Sequence, residues 1–259
     1  MRRGFELRRV VPSSVVVVVL AVLGTAPSRA QIPDRFTNLK VLPKDISKLE
    51  LTGIMRGFAG ALNVRCNHCH VGEDPDSLDG YDFASDEKET KRTARVMLRM
   101  TTEINSSFLP ETGREHPVEV RCVTCHRGVK KPQSIDNLVL AAIEEEGLEE
   151  AVAQYRDLRS EHYGSSAYDF SPAALDAATE VLAMKKGDFA TALAVNELNL
   201  EFHPESDYTL YLRARLLLRE GDRDGAIAAL ERAVELNPEV DWLKGQLERL
   251  KNPPKDPQD

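Results

Sequence analysis

Two short segments decide how this chain folds: Cys66-Asn67-His68-Cys69-His70 and Cys122-Val123-Thr124-Cys125-His126. They contain all four cysteines of the 259 residues, and each is a C-x-x-C pair followed at once by a histidine. C-x-x-C-H is the attachment motif of c-type haem. Its spacing has a physical reason, because two thiols add across the two vinyl groups on one edge of the porphyrin, and the next imidazole becomes an axial ligand of the iron.

The two motifs predict two covalently bound haem c groups. The residues expected to hold them are the thiols Cys66, Cys69, Cys122 and Cys125 and the iron-ligating imidazoles His70 and His126. Zinc sites built from two C-x-x-C pairs usually have about 15–20 residues between the pairs, whereas the gap here is 52 residues. Disulfides would not explain the histidines, and a thioredoxin-like site needs a βαβ pattern that the sequence lacks.

The first 30 residues have the pattern of a secretory signal. Four arginines lie among the first nine residues, an apolar run follows over 15–23, and Ser28 and Ala30 are small residues before the expected cleavage point. This order of regions is typical of a removed signal peptide, and the run is shorter than the roughly 20 residues of a membrane span. We therefore expect a periplasmic or otherwise extracytoplasmic mature chain, with an uncleaved N-terminal anchor as the alternative.

Charge divides the rest of the chain into two parts. Residues 31–134 hold 16 basic and 15 acidic residues, whereas residues 135–259 hold 13 basic and 26 acidic residues. We expect a two-haem cytochrome domain over 31–134 and a helical repeat domain over 135–259. The net charge of −8 for the whole chain argues against a general nucleic-acid-binding protein, since those are usually basic.

One helix is expected before each motif in the first part. Ser47 and Glu50 have the spacing of a capping box, so the first helix should begin near Ser47 and end before the first motif. The second should run from about Asp86 to Ser106, with Asp86 and Glu89 forming its cap.

Both helices carry methionine on an apolar face. Met55 lies on the first helix, and Met97 and Met100 lie on the second. By spacing alone, such methionines are core residues more often than iron ligands. Between the helices, Tyr81 and Phe83 are candidates to pack on a haem edge.

The second part repeats with a period of 34 residues. Gly187-Asp188 recurs as Gly221-Asp222, and Pro204 recurs as Pro238. This period, with glycine at one turn and proline at the next, is typical of tetratricopeptide repeats. Such repeats stack into a curved solenoid with a concave face, which we expect to dock a partner protein. The alternative is a helical hairpin bundle without a binding role.

Residues 39–128 resemble half of the tetrahaem cytochrome subunit of photosynthetic reaction centres. The matching stretches are LPKDISKLELTGIM at 42–55, RCNHCHVG at 65–72, ARVMLRMTTEIN at 94–105 and VRCVTCHRG at 120–128. In that family each repeat is a helix, a turn and the haem motif, and the helix supplies a methionine ligand. The resemblance implies that Met55 ligates the first iron and Met97 the second, with Met100 as a packing residue.

The chain also departs from that family's pattern. The family has four haem motifs and this chain has two, and a repeat region stands where the second haem pair would be. His116 falls where the family has a histidine that ligates a fourth haem, yet that haem has no attachment motif here. The shortened pattern is similar to reaction-centre-cytochrome-like proteins whose host need not be phototrophic.

These patterns together predict an all-α protein: a two-haem c-type cytochrome domain of helix–turn–CxxCH repeats followed by a tetratricopeptide-like helical solenoid. Iron held by histidine and methionine is six-coordinate, and the thioether raises its potential. We therefore expect a carrier that passes electrons one at a time between redox partner proteins, which could include a membrane-associated electron-transfer complex, and not an enzyme. Two alternatives stay open, a two-haem peroxidase-like enzyme with an open iron site and a haem-stabilised scaffold.

Overall fold

The computed structural model describes residues 32–116 and 118–252. The expected signal segment, residues 1–30, lies outside the described residues. Within the described ranges the regular structure is helical, and extended backbone pairs only in an isolated bridge between Val71 and Asp82. None of the helices in these ranges is long and apolar enough to span a bilayer.

The helices of the described residues follow in chain order. They are α1 Lys48–Leu62, α2 Glu89–Glu103, α3 Cys122–His126, α4 Ile135–Glu145, α5 Leu148–His162, α6 Pro172–Glu180, α7 Phe189–Phe202, α8 Asp207–Glu220, α9 Arg223–Leu236 and α10 Asp241–Lys251. A single 3₁₀ turn spans Cys66–His68, and wider π-helical segments extend α2 over Ile104–Phe108 and α6 over Val181–Lys186. A single helical turn, Leu109–Glu111, follows the first of these π-helical segments.

Helix α1 begins where the capping pattern predicts. The Glu50 backbone N–H donates to Ser47 Oγ at 3.2 Å, and the Ser47 N–H donates to the Glu50 carboxylate at 3.1 Å. This reciprocal pair satisfies N–H groups that a helix start otherwise leaves open. At the other end, Asn63 adopts the left-handed conformation with φ 52°, which ends the helix just before the first motif.

Helix α2 begins later than predicted, and the expected cap at Asp86 is wrong. The Asp86 carboxylate lies 2.7 Å from the Arg95 guanidinium and 2.5 Å from the Lys40 ammonium. Hydrogen bonds from charged donors are about twice as strong as neutral ones, so the carboxylate is bound by these two cations. The N-cap is therefore Lys88, whose side chain makes no capping hydrogen bond.

Helices α4 to α9 form three successive hairpins, each with a tight turn between its two helices, and α10 follows the last hairpin. Gly147, Gly187 and Gly221 lie at these turns with φ values of 97°, 69° and 84°, a conformation that glycine adopts without steric cost. The two markers of the 34-residue period, Gly187 and Gly221, separate α6 from α7 and α8 from α9. Each predicted repeat therefore corresponds to one hairpin, and α10 packs on the last of them.

The apolar core lies almost entirely in the second part of the chain. Only Leu51, Ala61 and Val129 are buried apolar residues within the described part of 32–134. Two clusters fill the repeats, one around Tyr155 and Leu175 and the other around Leu230 and Leu243. Burial of apolar surface is the main stabilising contribution to folding, so residues 32–134 have little stabilisation of this kind from their own side chains.

Candidate haem-binding site

The first C-x-x-C-H motif is a single tight turn. The N–H groups of Cys69 and His70 both donate to the carbonyl of Cys66, at 3.2 and 3.0 Å. The turn thereby brings the two thiols together and presents the imidazole directly after them. From the start of α2, the Lys88 ammonium and the Thr90 hydroxyl donate to backbone carbonyls of this turn. The first motif is therefore attached to the N-terminal end of α2.

The second motif forms the short helix α3 and is attached to the opposite end of α2. The Asn105 side chain, in the π-helical segment, exchanges two hydrogen bonds of 2.8 Å with the backbone of Val120. The backbone N–H of Gly128, just after the motif, donates to the carbonyl of Ala61 at 2.8 Å. The second motif is thus held between the end of α1 and the end of α2. The four cysteines of both motifs are unpaired.

The two motif histidines have different surroundings. His126 Nδ1 lies 2.9 Å from the Val129 carbonyl, which orients the ring and leaves Nε2 as the nitrogen for a metal. His70 Nδ1 is buried and has no hydrogen-bond partner. The Phe83 ring packs edge-on against the His70 ring at 5.0 Å between centroids, and Tyr81 lies 5.5 Å from Phe83.

Burial keeps His70 neutral. It lowers the pKa of His70 to about 4, and the nearby positive charge of Lys91 acts in the same direction. A metal-binding histidine must be deprotonated, so this environment keeps the imidazole in the form that ligates iron. The aromatic pair Tyr81 and Phe83, which the sequence singled out for a haem edge, packs beside this histidine.

Both methionines that the resemblance singled out are half-buried. Met55 lies in α1 and Met97 in α2, and both helices pack against α3. Met100, one turn after Met97, is 45% exposed. His116 is exposed in the loop between α2 and α3. The assignment of Met55 and Met97 to particular irons stays a prediction.

The exposed apolar surface of residues 32–134 fits a large apolar cofactor. Six large apolar side chains are exposed there: Leu49, Val96, Met100, Phe108, Val118 and Val123. Exposed apolar surface of this kind marks ligand-binding regions, and the described part of 32–134 has few buried apolar residues of its own. Free thiols one turn apart, a neutral imidazole and half-buried thioethers complete the set of groups that haem c requires.

Comparison with known proteins agrees with a haem-binding role for these groups. The family model described as "Photosynthetic reaction centre cytochrome C subunit" matches residues 12–191, well over half of the chain. The chain belongs to this family. A second family model, described as "Tetratricopeptide repeat", matches residues 208–240. The resemblance read from the motifs and the predicted all-α fold class are both confirmed.

Two curated relatives align over about a third of this chain. The photosynthetic reaction center cytochrome c subunit of Rubrivivax gelatinosus (strain NBRC 100245 / IL144) is 29% identical over 99 residues, which cover 34% of this chain and 25% of that protein. Cytochrome c-554 of Chloroflexus aurantiacus (strain ATCC 29366 / DSM 635 / J-10-fl) is 34% identical over 89 residues, which cover 34% of this chain and 20% of that protein. The chain thus matches a quarter or less of each relative's length.

Membership of the reaction-centre cytochrome family supports a c-type cytochrome with covalently bound haem c. The number of haems, the residues that hold them and the boundary between residues 134 and 135 remain predictions. The family match runs on to residue 191 and the repeat match begins at residue 208.

Sequence reasoning missed a charged cluster beside the first motif of this cytochrome. Asp86 binds Arg95 and Lys40, and Lys91, only 11% exposed, donates to the Phe83 carbonyl at 2.8 Å. Hydrogen bonds from Lys40 and Arg95 hold the pKa of Asp86 well below its usual range. Lys40 and Asp86 are 46 residues apart in sequence, so no local spacing could have indicated the pair.

Proposed function

We propose that this chain is an extracytoplasmic two-haem cytochrome c that carries electrons one at a time between redox partner proteins. The observation that carries the proposal is the attachment of both C-x-x-C-H turns to one helix. Lys88 and Thr90 hold the first turn at the start of α2, and Asn105 holds the second at its end. A helix rises about 1.5 Å per residue, so the attachment points lie on the order of 20 Å apart on a rigid rod.

The residues of the chain supply attachment, ligation and local charge. In this proposal the four cysteines would hold the two porphyrins, His70 and His126 would each ligate an iron, and Met55 and Met97 would supply the remaining ligands. Haem iron, when bound, gains and loses one electron. A methionine at the sixth position raises the potential and leaves no open position for a substrate, which favours a carrier over an enzyme. The Val129 carbonyl fixes the ring of His126.

The cations near the first motif favour the reduced state of a redox group placed there. Lys91 and Arg95 are both largely buried beside His70, with side-chain exposures of 11% and 15%. A positive charge close to a metal centre disfavours the more positive oxidised state. Asp86 neutralises part of this charge. The cluster therefore gives the first motif a more electropositive environment than its sequence pattern indicated.

Location and docking form the remaining parts of the proposal. The basic start and apolar run of residues 1–30 support export to the periplasm, with a cleaved signal or an N-terminal anchor. The helical repeats after residue 134 provide a surface that docks redox partners. A membrane-associated electron-transfer complex is one of these partners. The match to a tetratricopeptide repeat over residues 208–240 supports this docking role.

The test is the optical spectrum of the matured, reduced protein before and after carbon monoxide, together with its intact mass. We expect a mass increase of two covalently bound haems and a spectrum that carbon monoxide leaves unchanged, since both irons would be six-coordinate. A mass of one haem would contradict the two-haem proposal. A spectrum shifted by carbon monoxide would show an open or weakly bound sixth position and favour the peroxidase-like alternative.

A further inference from the structure

Alternate helices of the repeat part present a continuous row of arginine, aromatic and methionine side chains. We call this row the arginine–aromatic stripe, and it consists of Met184, Tyr208, Tyr211, Arg215, Arg219 and Trp242. It crosses from the π-helical end of α6 over α8 to α10. These are the first helix of each hairpin and the closing helix, so the stripe runs across successive repeats, as the extended binding surfaces of stacked helical repeats do.

Five of the six members of the stripe lie next to one another, and the sixth, Arg219, lies 5.7 Å from the centroid of the Phe189 ring. The Arg215 guanidinium lies 3.6 Å from Met184 Sδ and 5.7 Å from the centroid of the Tyr211 ring. Tyr211 packs edge-on against Trp242 at 4.8 Å between centroids, and Tyr208 lies 5.8 Å from Tyr211. The side chains are therefore supported by their neighbours, which lowers the entropy that binding would cost.

Large side chains of the stripe are open to solvent. Met184 is 67% exposed, Trp242 46% and Tyr208 39%. Protein interfaces are enriched in tyrosine, tryptophan, methionine and arginine, and hot-spot residues are most often tryptophan, tyrosine and arginine. The composition of the stripe is that of a binding surface.

The charge of the stripe indicates what binds there. Arg215 and Arg219 form no ion pair with any described residue, whereas Arg213 on the same helix lies 3.2 Å from Glu197. Glu180, the acidic residue at the edge of the stripe, accepts a hydrogen bond from the Tyr208 hydroxyl at 2.6 Å. Residues 135–259 contain 26 acidic residues and 13 basic ones. Two arginines left without a carboxylate in so acidic a region are available to a carboxylate from outside.

We propose that the arginine–aromatic stripe docks a partner segment that carries carboxylates between apolar side chains. The inference rests on the proposed docking role and names the chemistry of the partner. Guanidinium groups bind carboxylates through two parallel hydrogen bonds. The exposed faces of Tyr208, Trp242 and Met184 provide apolar area on either side of them. The acidic remainder of the repeats repels acidic segments elsewhere, so attraction is confined to the stripe.

The experiment selects peptides from a random twelve-residue display library on the full-length haem-loaded protein. We expect enriched sequences to contain at least two carboxylates next to large apolar residues. One enriched peptide, labelled with a fluorophore, is then titrated with protein and its anisotropy measured. The double variant R215E/R219E should weaken binding at least tenfold, and added salt should weaken binding to the wild type. The matched control R156E/R232E makes the same charge change outside the stripe and should bind as the wild type does.

Several outcomes would overturn the proposal. Enriched peptides without carboxylates, or the absence of enriched peptides, would contradict it. Equal binding by R215E/R219E and the wild type, with circular dichroism showing both folded, would place docking elsewhere on the repeats. A concentration-dependent dimer in sedimentation that the double variant abolishes would make a second copy the occupant. The haem spectrum and haem mass are measured on the same samples. A failure of the docking proposal can therefore be distinguished from a failure of the proposed electron-carrier function.

Discussion

The two motifs share the C-x-x-C-H pattern, but their histidines have different neighbours in the structure. His126 is oriented by the Val129 carbonyl, whereas His70 is buried against Phe83 with its Nδ1 unpartnered. A hydrogen bond to a ligating histidine raises its basicity, and basic ligands favour oxidised iron. Together with the cations Lys91 and Arg95 near His70, this difference gives the first site the higher expected reduction potential.

The assignment of Met97 as an iron ligand can be tested with Met100, one turn away, as the control. The substitution Met97→Ala should change the visible spectrum of one haem and lower its potential by on the order of 0.1 V, within the roughly 0.8 V range that axial ligands span. Met100→Ala removes a 45% exposed side chain one turn away and should leave both potentials unchanged. A potentiometric titration followed optically measures both variants. Identical titrations for Met97→Ala and the wild type would rule out ligation by Met97.

Asp86 provides a second residue-level prediction. Its bonds to Lys40 and Arg95 hold its pKa below the usual value, so the ionised form stabilises the fold. This contribution is present above the pKa of the unfolded chain, about 3.9, and is lost as the pH falls through the lower folded value. Asp86→Asn should therefore lower the melting temperature at pH 7. Below pH 4 the melting temperature of the variant should fall less steeply than that of the wild type. Melting curves from pH 2 to 7 test this, and parallel curves for both proteins would contradict it.

At the scale of elements, Asn105 connects α2 to the second motif. Its side-chain amide exchanges two hydrogen bonds with the Val120 backbone, and all the groups involved are half-buried. Asn105→Ala should lower the free energy of unfolding by about 1–3 kcal/mol, because it leaves the two backbone groups of Val120 without partners. The nearby exposed Ser106 offers the control Ser106→Ala. Urea unfolding and haem mass measure the effect, which should reduce attachment of the second haem only.

The buried carboxylate Asp176 lies where α6, α7 and α8 pack together. Its ionisation destabilises the fold, whereas ionisation of Asp86 stabilises it. Asp176 accepts hydrogen bonds from Thr209 and Asn199 at 2.8 and 2.9 Å. Burial nevertheless raises the pKa of Asp176 to about 6. The protonated form is therefore favoured in the folded state, and its contribution to stability is lost as the pH rises from about 4 through 6.

Asp176→Asn tests this sign. The amide keeps an oxygen for Thr209 and Asn199 but does not ionise, so the variant should lack the decline of stability between pH 4 and 6. The difference between the two proteins over this interval should be on the order of 2 kcal/mol. Urea unfolding at several pH values, followed by circular dichroism, measures it. A difference that stays constant with pH would contradict the prediction.

Features that depend on residues close together in sequence were predicted, whereas contacts between residues far apart in sequence were not. The cap of α1 depends on Ser47 and Glu50, three residues apart, and the glycine turns depend on single residues, so both were readable. The start of α2 was misplaced because Asp86 binds Lys40, 46 residues away. For the same reason the attachment of Asn105 to Val120 was not foreseen. The assignment of the four cysteines and two histidines to haem stays a prediction, and it rests on the fixed spacing that attachment chemistry requires.

For the whole molecule, the unequal distribution of buried apolar residues has a consequence for folding. Within the described residues, 32–134 contribute only Leu51, Ala61 and Val129 to the buried apolar set, while the repeats form two extensive clusters. Repeats stabilise one another through neighbouring hairpins and need no cofactor to do so. The cytochrome part must obtain much of its apolar burial from bound haem.

Hydrogen exchange of the chain with all four cysteines changed to serine tests this dependence. Without covalent haem, amides of residues 32–134 should exchange far faster than in the haem-loaded protein, because local opening there costs little free energy. Amides buried in α6 to α9 should keep their protection, since Leu175, Val195 and Leu230 pack independently of the motifs. Equal protection of 32–134 with and without haem would show that the helices and charged cluster around α2 fold on their own. Loss of protection in both parts would show that the repeats depend on the cytochrome part through contacts such as that of Arg127 with the Ser166 carbonyl.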